Sequence, residues 1–454
     1  MGKDTKKDGH SLSRRTFLGS AAAASAFTVV PSSVLAGGGT SPNEKLNIAG
    51  VGVGGRGYYD VQACATENIV ALCDVDHNYA KKAFNKWPKA NKYTDFRKMF
   101  DKEGDNIDAV VIGTPDHWHA LITMEALKRG KHVYCEKPLT HNVWEARKVA
   151  EAAKKAGVTT QLGIQGHSGE GARLVKEWIA AGVIGEVHEV EAWSDESYYP
   201  PGYAAWAPSI RRAPEKGQPV PGSLDWDLWL GPRKKRPFHE AYHPLSWRAW
   251  WDFGTGWTCD RGVHTMDPIV WALNLGRPEV IDARSSLGHN PDTHPLVSII
   301  TYEFPKQDVT VKWYEGVRPP RPKELDQGKI LGDRHGGILF KGTKGKLTAG
   351  IYAGGPRLLP QSRMKEFLKD KPEKTLPRVE TNHQQNWVQA CKAGEEAVAD
   401  FQYGSLVTEI CLLGNVGKWV NDRIRWDPDR MKVTNLAEAQ KQIREEYHNG
   451  WSLA

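Results

Sequence analysis

The sequence predicts an α/β protein with two domains: a doubly wound parallel sheet over residues 42–163, and an α+β domain with an open, mostly antiparallel sheet over residues 164–454. Three observations predict this fold class. A glycine-rich turn directly follows an apolar strand, short apolar strands then alternate with helical stretches, and later strands alternate apolar and polar residues. A chain of 454 residues with 40% hydrophobic residues can bury a core in each domain.

The first element reads as strand, tight turn and helix in the segment KLNIAGVGVGGRGYYDVQACA. Taking Gly52, Gly54 and Gly57 as a GxGxxG set places the strand at residues 46–51 and offers the N-terminus of the helix to a pyrophosphate. The alternative set begins at Gly50 and shortens the strand. The turn predicts a dinucleotide-binding Rossmann domain. The cofactor contacts predicted here are Gly52, Gly54, Gly55, Arg56 and Gly57.

The second strand, residues 68–75, carries the next cofactor signal. Asp74 near its end lies 22 residues beyond Gly52, where the motif places a carboxylate for the ribose hydroxyls. A carboxylate there repels a 2′-phosphate, so NAD is favoured over NADP. In the alternative, Asp74 is a surface turn residue. Apolar strands at 109–113 and 132–135 also end in polar clusters, at the sheet edge where ligands bind.

Four segments, GVGGRG, CDVD, TPDHWH and CEKPLTHNVWEA, together resemble the glucose–fructose oxidoreductase, inositol dehydrogenase and rhizopine-catabolism (Gfo/Idh/MocA) family. The EKP tripeptide is the most specific of these motifs. The resemblance implies that Glu136 contacts the nicotinamide-side ribose, that Lys137 lies beside the nicotinamide and the reacting carbon, and that a cis peptide bond precedes Pro138. It also implies that the cofactor cleft is lined by Thr114, Pro115 and His119.

A second cluster lies in the segment WTCDRGVHTMDPIVW, where Asp260, His264 and Asp267 share one face if the segment is helical. A histidine held by a carboxylate is a common acid–base arrangement. The resemblance implies that Asp260 and His264 act with the EKP lysine, so the predicted catalytic residues are Lys137, Asp260 and His264, with His264 as the base. In the alternative, Asp260 caps the helix and His264 lies in the core. Asp267 is either a substrate contact or a structural acid.

Residues 186–260 are dense in tyrosine and tryptophan. Aromatic rings stack on the C–H faces of sugars, which suits a carbohydrate site, although most of these rings are expected in the core. Farther along, alternating patterns at 298–304 and 309–316 predict antiparallel strands, and residues 337–350 predict a hairpin. Segments rich in Pro, Gly, Lys and Arg predict long loops at 317–336 and 353–380. The predicted substrate contacts are Trp118, Gln165, Trp257, Asp260, His264 and Asp267.

The first 36 residues predict a signal peptide. An arginine pair, Arg14 and Arg15, precedes a short apolar stretch and small residues around Ala36, a pattern that resembles a twin-arginine signal. The apolar stretch falls short of the ~20 residues that a spanning helix needs, which favours a cleaved signal over an uncleaved membrane anchor, the alternative. The mature chain is predicted to have no membrane span. Because the twin-arginine route carries folded proteins, we expect a periplasmic or extracytoplasmic protein that binds its cofactor before export.

Composition excludes several classes of protein. The six cysteines form no CxxC pair and have no histidine at metal-ligand spacing, so the sequence predicts buried thiols, no metal site and no disulfide framework. Of the formal charge of +7, residues 1–36 carry +3, and the +4 left over the rest of the chain is too small for an electrostatic footprint for nucleic acid. A homodimer or homotetramer is expected from the resemblance.

These residues and the resemblance predict reversible hydride transfer between a ring CH–OH of a sugar or polyol and NAD. Free NAD is scarce outside the cytoplasm, so export favours a tightly held cofactor. One alternative is a redox-neutral glycosidase, in which oxidation acidifies a neighbouring C–H, the leaving group is eliminated and the hydride is returned; the Tyr-Pro-Thr-His stretch of one such group does not occur here. A second alternative is a non-catalytic sugar-binding protein on the same fold.

Overall fold

In the computed structural model, which describes residues 45–198, 200–286 and 290–453, two sheets of six and nine strands organise the chain. The predicted signal peptide, residues 1–36, lies outside the described residues.

The first sheet is parallel throughout, with the strand order β3-β2-β1-β4-β5-β6. The chain reverses its direction of winding between β1 and β4, and a cleft opens at such a switch point beyond the carboxyl ends of the strands. This is the predicted doubly wound sheet. Its strands are β1 Asn47–Val51, β2 Asn68–Cys73, β3 Asn91–Tyr93, β4 Ala109–Ile112, β5 His132–Glu136 and β6 Thr160–Gly163.

Helices connect these strands. The last of them begins with a capping box, in which the Asn142 side chain accepts from the Glu145 backbone N–H at 3.0 Å and Glu145 accepts from the Asn142 N–H at 3.2 Å. It ends at Gly157, whose φ of +64° suits the left-handed C-cap. The helices are α1 Gly55–Ala63, α2 Lys81–Lys86, α3 Phe96–Glu103, α4 Asp116–Lys128 and α5 Val143–Ala156, with a 3₁₀ turn at Gly104–Asn106.

A helix from the far end of the chain also packs on the first sheet. Trp387 and Val388 of α11 (His383–Ala393) belong to one buried cluster with Ile48 and Leu72 of the sheet. The sequence placed this segment in the second domain, whereas it packs against the first, because helix periodicity does not reveal which sheet an apolar face meets.

The second sheet has the order β13-β12-β11-β7-β10-β9-β8-β14-β15. Only the β7–β10 pair is parallel among the described strands of this sheet; the other pairs are antiparallel. This arrangement confirms the predicted fold class, and the expected hairpin is β11–β12. The strands are β7 Val187–Ser194, β8 Val280–Ser286, β9 Val297–Phe304, β10 Val309–Glu315, β11 Gly336–Gly342, β12 Gly345–Ala349, β13 Arg357–Leu359, β14 Arg423–Asp427 and β15 Lys432–Val433.

The segment predicted as a loop at 353–380 contains strand β13 and helix α10 (Gln361–Phe367). Both elements are too short for their apolar residues to show a strand or helix periodicity in the sequence. The longest helix in the described residues, α12 (Phe401–Val420), packs against α5, α9 (Gly262–Leu273) and β8 and so joins both halves of the described molecule. The remaining helices are α6 Glu170–Ala180, α7 Trp226–Leu230, α8 Gly256–Asp260, α9 Gly262–Leu273, α10 Gln361–Phe367, α12 Phe401–Val420 and α13 Ala437–Lys441, with 3₁₀ turns at Gln165–Ser168 and Ser246–Ala249.

All six cysteines are buried free thiols, as predicted. Within the described residues, no helix is long and apolar enough to cross a membrane. The same residues contain no group of three or more His, Cys, Asp or Glu side chains arranged to hold a metal ion.

Candidate active site

One cleft of ≈ 370 Å³ collects most of the predicted site residues. It lies at the carboxyl ends of the first sheet and is closed on the other side by α8 and α9. Three predicted residues, Gly57, His119 and Asp267, are not part of its lining. The predicted residues that line it are Gly52, Gly54, Gly55, Arg56, Asp74, Thr114, Pro115, Trp118, Glu136, Lys137, Gln165, Trp257, Asp260 and His264.

The glycine turn leaves no room for side chains at two positions. Gly52 has φ +73°, and a Cβ there would lie 2.6 Å from the backbone N of Thr114. A Cβ at Gly57 would lie 1.9 Å from the carbonyl oxygen of Gly52, so glycine is required for α1 to approach the turn. Gly50 lies inside β1, which fits the register that begins at Gly52.

Asp74 follows β2 and is almost completely buried. Its carboxylate accepts hydrogen bonds from the backbone N–H of Gly54 and of Asp76, both at 3.0 Å. Burial raises the pKa of Asp74, although these two amide donors oppose the shift. The carboxylate therefore ties the end of β2 to the glycine turn while it lines the cleft.

Glu136, at the end of β5, is held by two side chains. Its Oε1 accepts from Gln165 Nε2 at 2.7 Å and from Arg56 Nε at 3.2 Å. Arg56 also pairs with the buried Asp60 at 2.9 Å. These contacts hold the β5 end, α1 and the 3₁₀ turn after β6 together around one carboxylate, so Arg56 and Gln165 orient Glu136.

Lys137 follows directly, and its bond to Pro138 is cis, as the resemblance implied. The Lys137 Nζ donates to the Asp260 carboxylate and, at 2.8 Å, to the Asp260 carbonyl oxygen. Burial raises the pKa of Asp260, but the charges of Lys137, Arg248 and Arg261 together with the Lys137 hydrogen bond outweigh it and hold that pKa well below its usual range. Asp260 therefore stays ionised and fixes the amine in the cleft.

His264 lies one helical turn beyond Asp260 but does not pair with it. The helix breaks at Arg261 between α8 and α9, and no hydrogen bond joins the Asp260 and His264 side chains among the described residues. The expected Asp–His pair is thus replaced by an Asp–Lys pair, because the ammonium competes for the carboxylate. Nδ1 of His264 is buried and has no hydrogen-bond partner among the described residues. Burial lowers the pKa of His264 well below its ordinary value, as does the Lys137 charge, so the ring is neutral at neutral pH.

Asp267 is a structural acid rather than a substrate contact. It is 1% exposed, and its Oδ1 accepts from Tyr403 Oη at 2.7 Å and lies 2.6 Å from His167 Nδ1. The sequence placed Asp267 on one face with Asp260 and His264, but its partners His167 and Tyr403, which hold it away from the cleft, lie far along the chain.

His119 also differs from the expectation. The ring is 1% exposed, and its two nitrogens lie 2.7 Å from the Pro138 carbonyl oxygen and 2.9 Å from that of Thr114. It therefore supports the loops after β4 and β5 from beneath instead of lining the cleft.

The two predicted aromatic contacts lie in the wall of the cleft and are almost completely buried. Trp118 Nε1 donates to the Trp229 carbonyl oxygen at 3.1 Å, and Trp257 Nε1 donates to Ser194 Oγ at 2.8 Å. The half-buried Trp206 stacks on Trp257 with ring centroids 6.4 Å apart, and it also lines the cleft.

One side of the cleft is covered by a segment whose position the sequence did not predict. Residues 223–253, which we call the cap, form their own aromatic core, separate from the cores of the two sheets. The cap faces the carboxyl end of β2. Its buried aromatic side chains are Trp226, Trp229, Phe238, Tyr242, Trp247, Trp250 and Phe253.

The cap is fastened to the first domain beside the cleft. His243 Nε2 lies 2.9 Å from Asp76 Oδ2, and Ser223 Oγ donates to Asp76 Oδ1 at 2.9 Å. Burial would raise the pKa of Asp76, but the hydrogen bonds from His243 and Ser223 lower it to about 2. A second attachment joins α4, where His117 Nε2 lies 2.9 Å from the Trp229 carbonyl oxygen. The cleft is therefore walled by the cap from the β2 end to α4.

The cleft fits a dinucleotide. Helix α1 begins at Gly55 with no acidic residue in its first turn, so its positive end is left for an anion. Gly54, Gly55 and this helix end would hold the diphosphate of NAD, and Asp74 would meet the ribose hydroxyls. Glu136 and Lys137 would lie at the nicotinamide end.

Several lining residues were missed by sequence reasoning. Tyr79 lies on the glycine turn, where a Cβ on Gly54 would come within 2.2 Å of its ring. Arg248, Arg261 and Tyr352 lie around Asp260 and His264. Tyr79 could have been suspected from its place just after CDVD, but the others follow no motif that marks them.

Comparison with known proteins agrees with this architecture. The profile of the oxidoreductase family, NAD-binding Rossmann fold, matches residues 46–164, and that of the oxidoreductase family, C-terminal alpha/beta domain, matches residues 176–303.

Individual relatives are more distant. A glycosyl hydrolase family 109 protein of Shewanella baltica is 28% identical over 212 residues, and an alpha-N-acetylgalactosaminidase of Shewanella oneidensis is 27% identical over 212 residues. Each match covers 40% of this chain and 46% of the relative, so the similarity spans less than half the length of these relatives.

Among solved structures, the WlbA dehydrogenase of Bordetella pertussis, in complex with NADH and UDP-GlcNAcA, superposes with a TM-score of 0.59 at 16% identity. The match covers 84% of this chain and 98% of that one, and at this identity it establishes the fold. The two profiles confirm the predicted family and cofactor domain, and the six-stranded parallel sheet and the nine-stranded sheet agree with them. The chain belongs to the Gfo/Idh/MocA family of oxidoreductases, and its first domain is that family's NAD-binding Rossmann domain.

Proposed function

We propose that the protein oxidises a ring CH–OH of a carbohydrate or polyol and holds NAD as a resident cofactor. One observation carries this proposal: the Lys137–Asp260 pair and His264 line the same cleft as the glycine turn. Groups that can move a proton and a cradle for a dinucleotide therefore share one enclosed space.

When bound, NAD supplies the hydride acceptor. The protein manages the proton that the substrate hydroxyl must lose. The His264 ring can accept it because burial and the Lys137 charge keep the ring unprotonated, and the Lys137 ammonium is placed to stabilise the developing alkoxide. Asp260 fixes the position of Lys137 through its carboxylate and its carbonyl oxygen.

The cap supports a resident cofactor. A dinucleotide that extends from Asp74 to Lys137 would lie beneath residues 223–253, which attach to the first domain beside the cleft at Asp76 and at His117. Release would require these attachments to open, so exchange with free NAD is expected to be slow.

A carbohydrate substrate is supported by the half-buried aromatic ring of Trp206, which lines the cleft. The names of the relatives, a glycosyl hydrolase and an alpha-N-acetylgalactosaminidase, point to the same class of compound.

The second candidate function is redox-neutral glycoside cleavage, which the relatives' names favour. Oxidation at one carbon would acidify the neighbouring C–H, and loss of that proton would expel the glycosidic oxygen by elimination, leaving a C=C bond conjugated with the ketone. Water would then add across this bond, and the hydride would return to the carbon it came from. A resident cofactor serves this route well, because no redox equivalent is consumed overall.

We further propose that residues 1–36 direct export by the twin-arginine route and that the mature protein works outside the cytoplasm. The Arg14–Arg15 pair and the short apolar stretch after it support this. A homo-oligomer is also proposed, by analogy with the family alone. Size-exclusion chromatography with light scattering tests the assembly, and replacing both arginines by lysine tests the route.

The test of function starts from protein purified from the cytoplasm. Denaturation should release about one NAD(H) per chain, measured by an enzymatic cycling assay. Sugars that reduce the bound cofactor, seen as the reduced-nicotinamide absorbance band, support the oxidoreductase. Release of aglycone from nitrophenyl glycosides with no net reduction supports the second candidate. Bound NAD without either reaction favours a sugar-binding protein, and the absence of any bound or bindable dinucleotide overturns the proposal.

A further inference from the structure

Among the described lysines and arginines that line the cleft, Arg248 is the one that makes no hydrogen bond to a carboxylate and has no carboxylate oxygen within 3.5 Å. Of the others, Arg56 and Arg261 have a carboxylate within 3.0 Å, and Lys137 is bonded to Asp260. The nearest carboxylate oxygen to Arg248 is that of Asp260, 3.9 Å from its Nε, which is too far for a hydrogen bond.

The guanidinium is nevertheless held in a fixed place. Its Nη1 donates to the Leu245 carbonyl oxygen at 3.1 Å, and its Cζ lies 4.3 Å from the centre of the Trp247 ring. The buried Tyr198 donates to the Arg248 carbonyl oxygen at 3.0 Å, so the backbone is fixed as well. Nε and Nη2 make no hydrogen bond to any described residue and remain available to a ligand.

The position faces the reacting end of the cleft. Asp260 lies between Arg248 and Lys137, within ion-pair distance of both. One carboxylate therefore serves two cations, and its hydrogen bonds go to Lys137. The carboxylate of Asp116, which also lines the cleft, accepts from the Thr255 N–H at 3.0 Å and from its hydroxyl at 2.6 Å.

A guanidinium that is 23% exposed in a narrow cleft gains more from a carboxylate than from a neutral hydroxyl, because both bonds are then charge-assisted. From this geometry we infer that the substrate is an acidic sugar and that Arg248 binds its carboxylate close to the carbon that reacts at Lys137. The inference rests on the proposed carbohydrate function and names its substrate class.

The experiment measures binding to the NAD-loaded protein by isothermal titration. The probes are the methyl glycosides of D-glucuronate and D-galacturonate, each against the methyl glycoside of its neutral parent, D-glucose or D-galactose. At least one uronate should bind about tenfold more tightly than its parent, and rising salt should reduce the difference.

Variants assign the preference to the residue. R248Q should bind uronate and parent equally, and R248K should keep part of the preference. R212Q is the matched control, because Arg212 is 72% exposed, pairs with Asp292 and does not line the cleft. The R212Q variant should therefore prefer the uronate over its neutral parent as strongly as the native chain does. Melting temperature and bound NAD are measured for every variant.

The inference is overturned if neither uronate binds more tightly than its neutral parent. It is also overturned if R248Q keeps the preference for the uronate, with or without a loss of bound NAD. Its failure is separable from that of the proposed function, since binding needs no hydride transfer. Selective binding of a uronate by a protein in which no sugar reduces the bound NAD would count against the oxidoreductase and leave the recognition by Arg248 standing.

Discussion

The two walls of the cleft are built in different ways. On the Rossmann wall, Asp74, Thr114 and Glu136 each lie at or just past the end of a strand, so local chain geometry positions them. On the opposite wall, distant segments meet: Asp76 and His243 are 167 positions apart, and Lys137 and Asp260 are 123 apart. The cofactor cradle therefore follows from local motifs, whereas the placement of Lys137 beside Asp260 and the closure of the cleft depend on packing.

The largest effect is expected on the Rossmann wall, from G57A. The new Cβ would lie 1.9 Å from the Gly52 carbonyl oxygen, so α1 must move away from the turn, at a cost of roughly 3 kcal/mol. Bound NAD should fall to background, and the melting temperature should drop. In the control G222A, nothing lies within 4 Å of the added methyl group, and both quantities should be unchanged. Full NAD content in G57A would show that the turn is not the cradle.

The next largest effect is expected at the Lys137–Asp260 contact, which joins the two walls of the cleft. K137M should lower the rate of substrate-dependent reduction of bound NAD by about 10²- to 10⁴-fold, because the developing alkoxide loses its cation. Bound NAD should stay near the native level. K128A, at an exposed position on α4, should keep the native rate. Rapid-mixing absorbance measures the step, and a native rate in K137M would remove this residue from the reaction.

A smaller effect is expected at the cap. D76N and H243Q each remove one partner of the 2.9 Å contact that fastens the cap, so NAD should leave about tenfold faster. Dissociation is followed by trapping released NAD with an excess of a second dinucleotide-binding enzyme. The control D227N alters a carboxylate that is 73% exposed and belongs to the same segment. Equal release rates in all three variants would mean that the cap does not retain the cofactor.

The smallest effect is a pH dependence. His264 must be neutral to accept a proton, and burial with the Lys137 charge lowers its pKa well below 6.5. A base with a lowered pKa stays active as the pH falls, so the reduction rate should change less than about twofold between pH 8 and 6.5 and decline only below that. H264Q should lower the rate across this range. A decline centred at or above pH 6.5 in the native protein would contradict the assignment.

Sequence patterns predicted the first domain well because its signals are local. The glycine turn, the β2 carboxylate and the EKP segment each lie within a few residues of the strand that carries them, and parallel strands bring their ends to one edge. The interpretation of α8 and α9 was weaker. Spacing placed Asp260 and His264 near each other, but it did not reveal that Lys137 takes the carboxylate.

By itself, the sequence determined the two-domain α/β architecture, the family, the NAD domain and the presence of Lys137, Asp260 and His264, since each follows from periodicity or a motif of short range. The packed structure is needed to show that Asp267 and His119 lie away from the cleft, that residues 223–253 cover it, and that Arg248 lines it beside Asp260. These outcomes depend on which distant groups compete for the same hydrogen bonds, and that competition is settled only when the two sheets and the cap pack together.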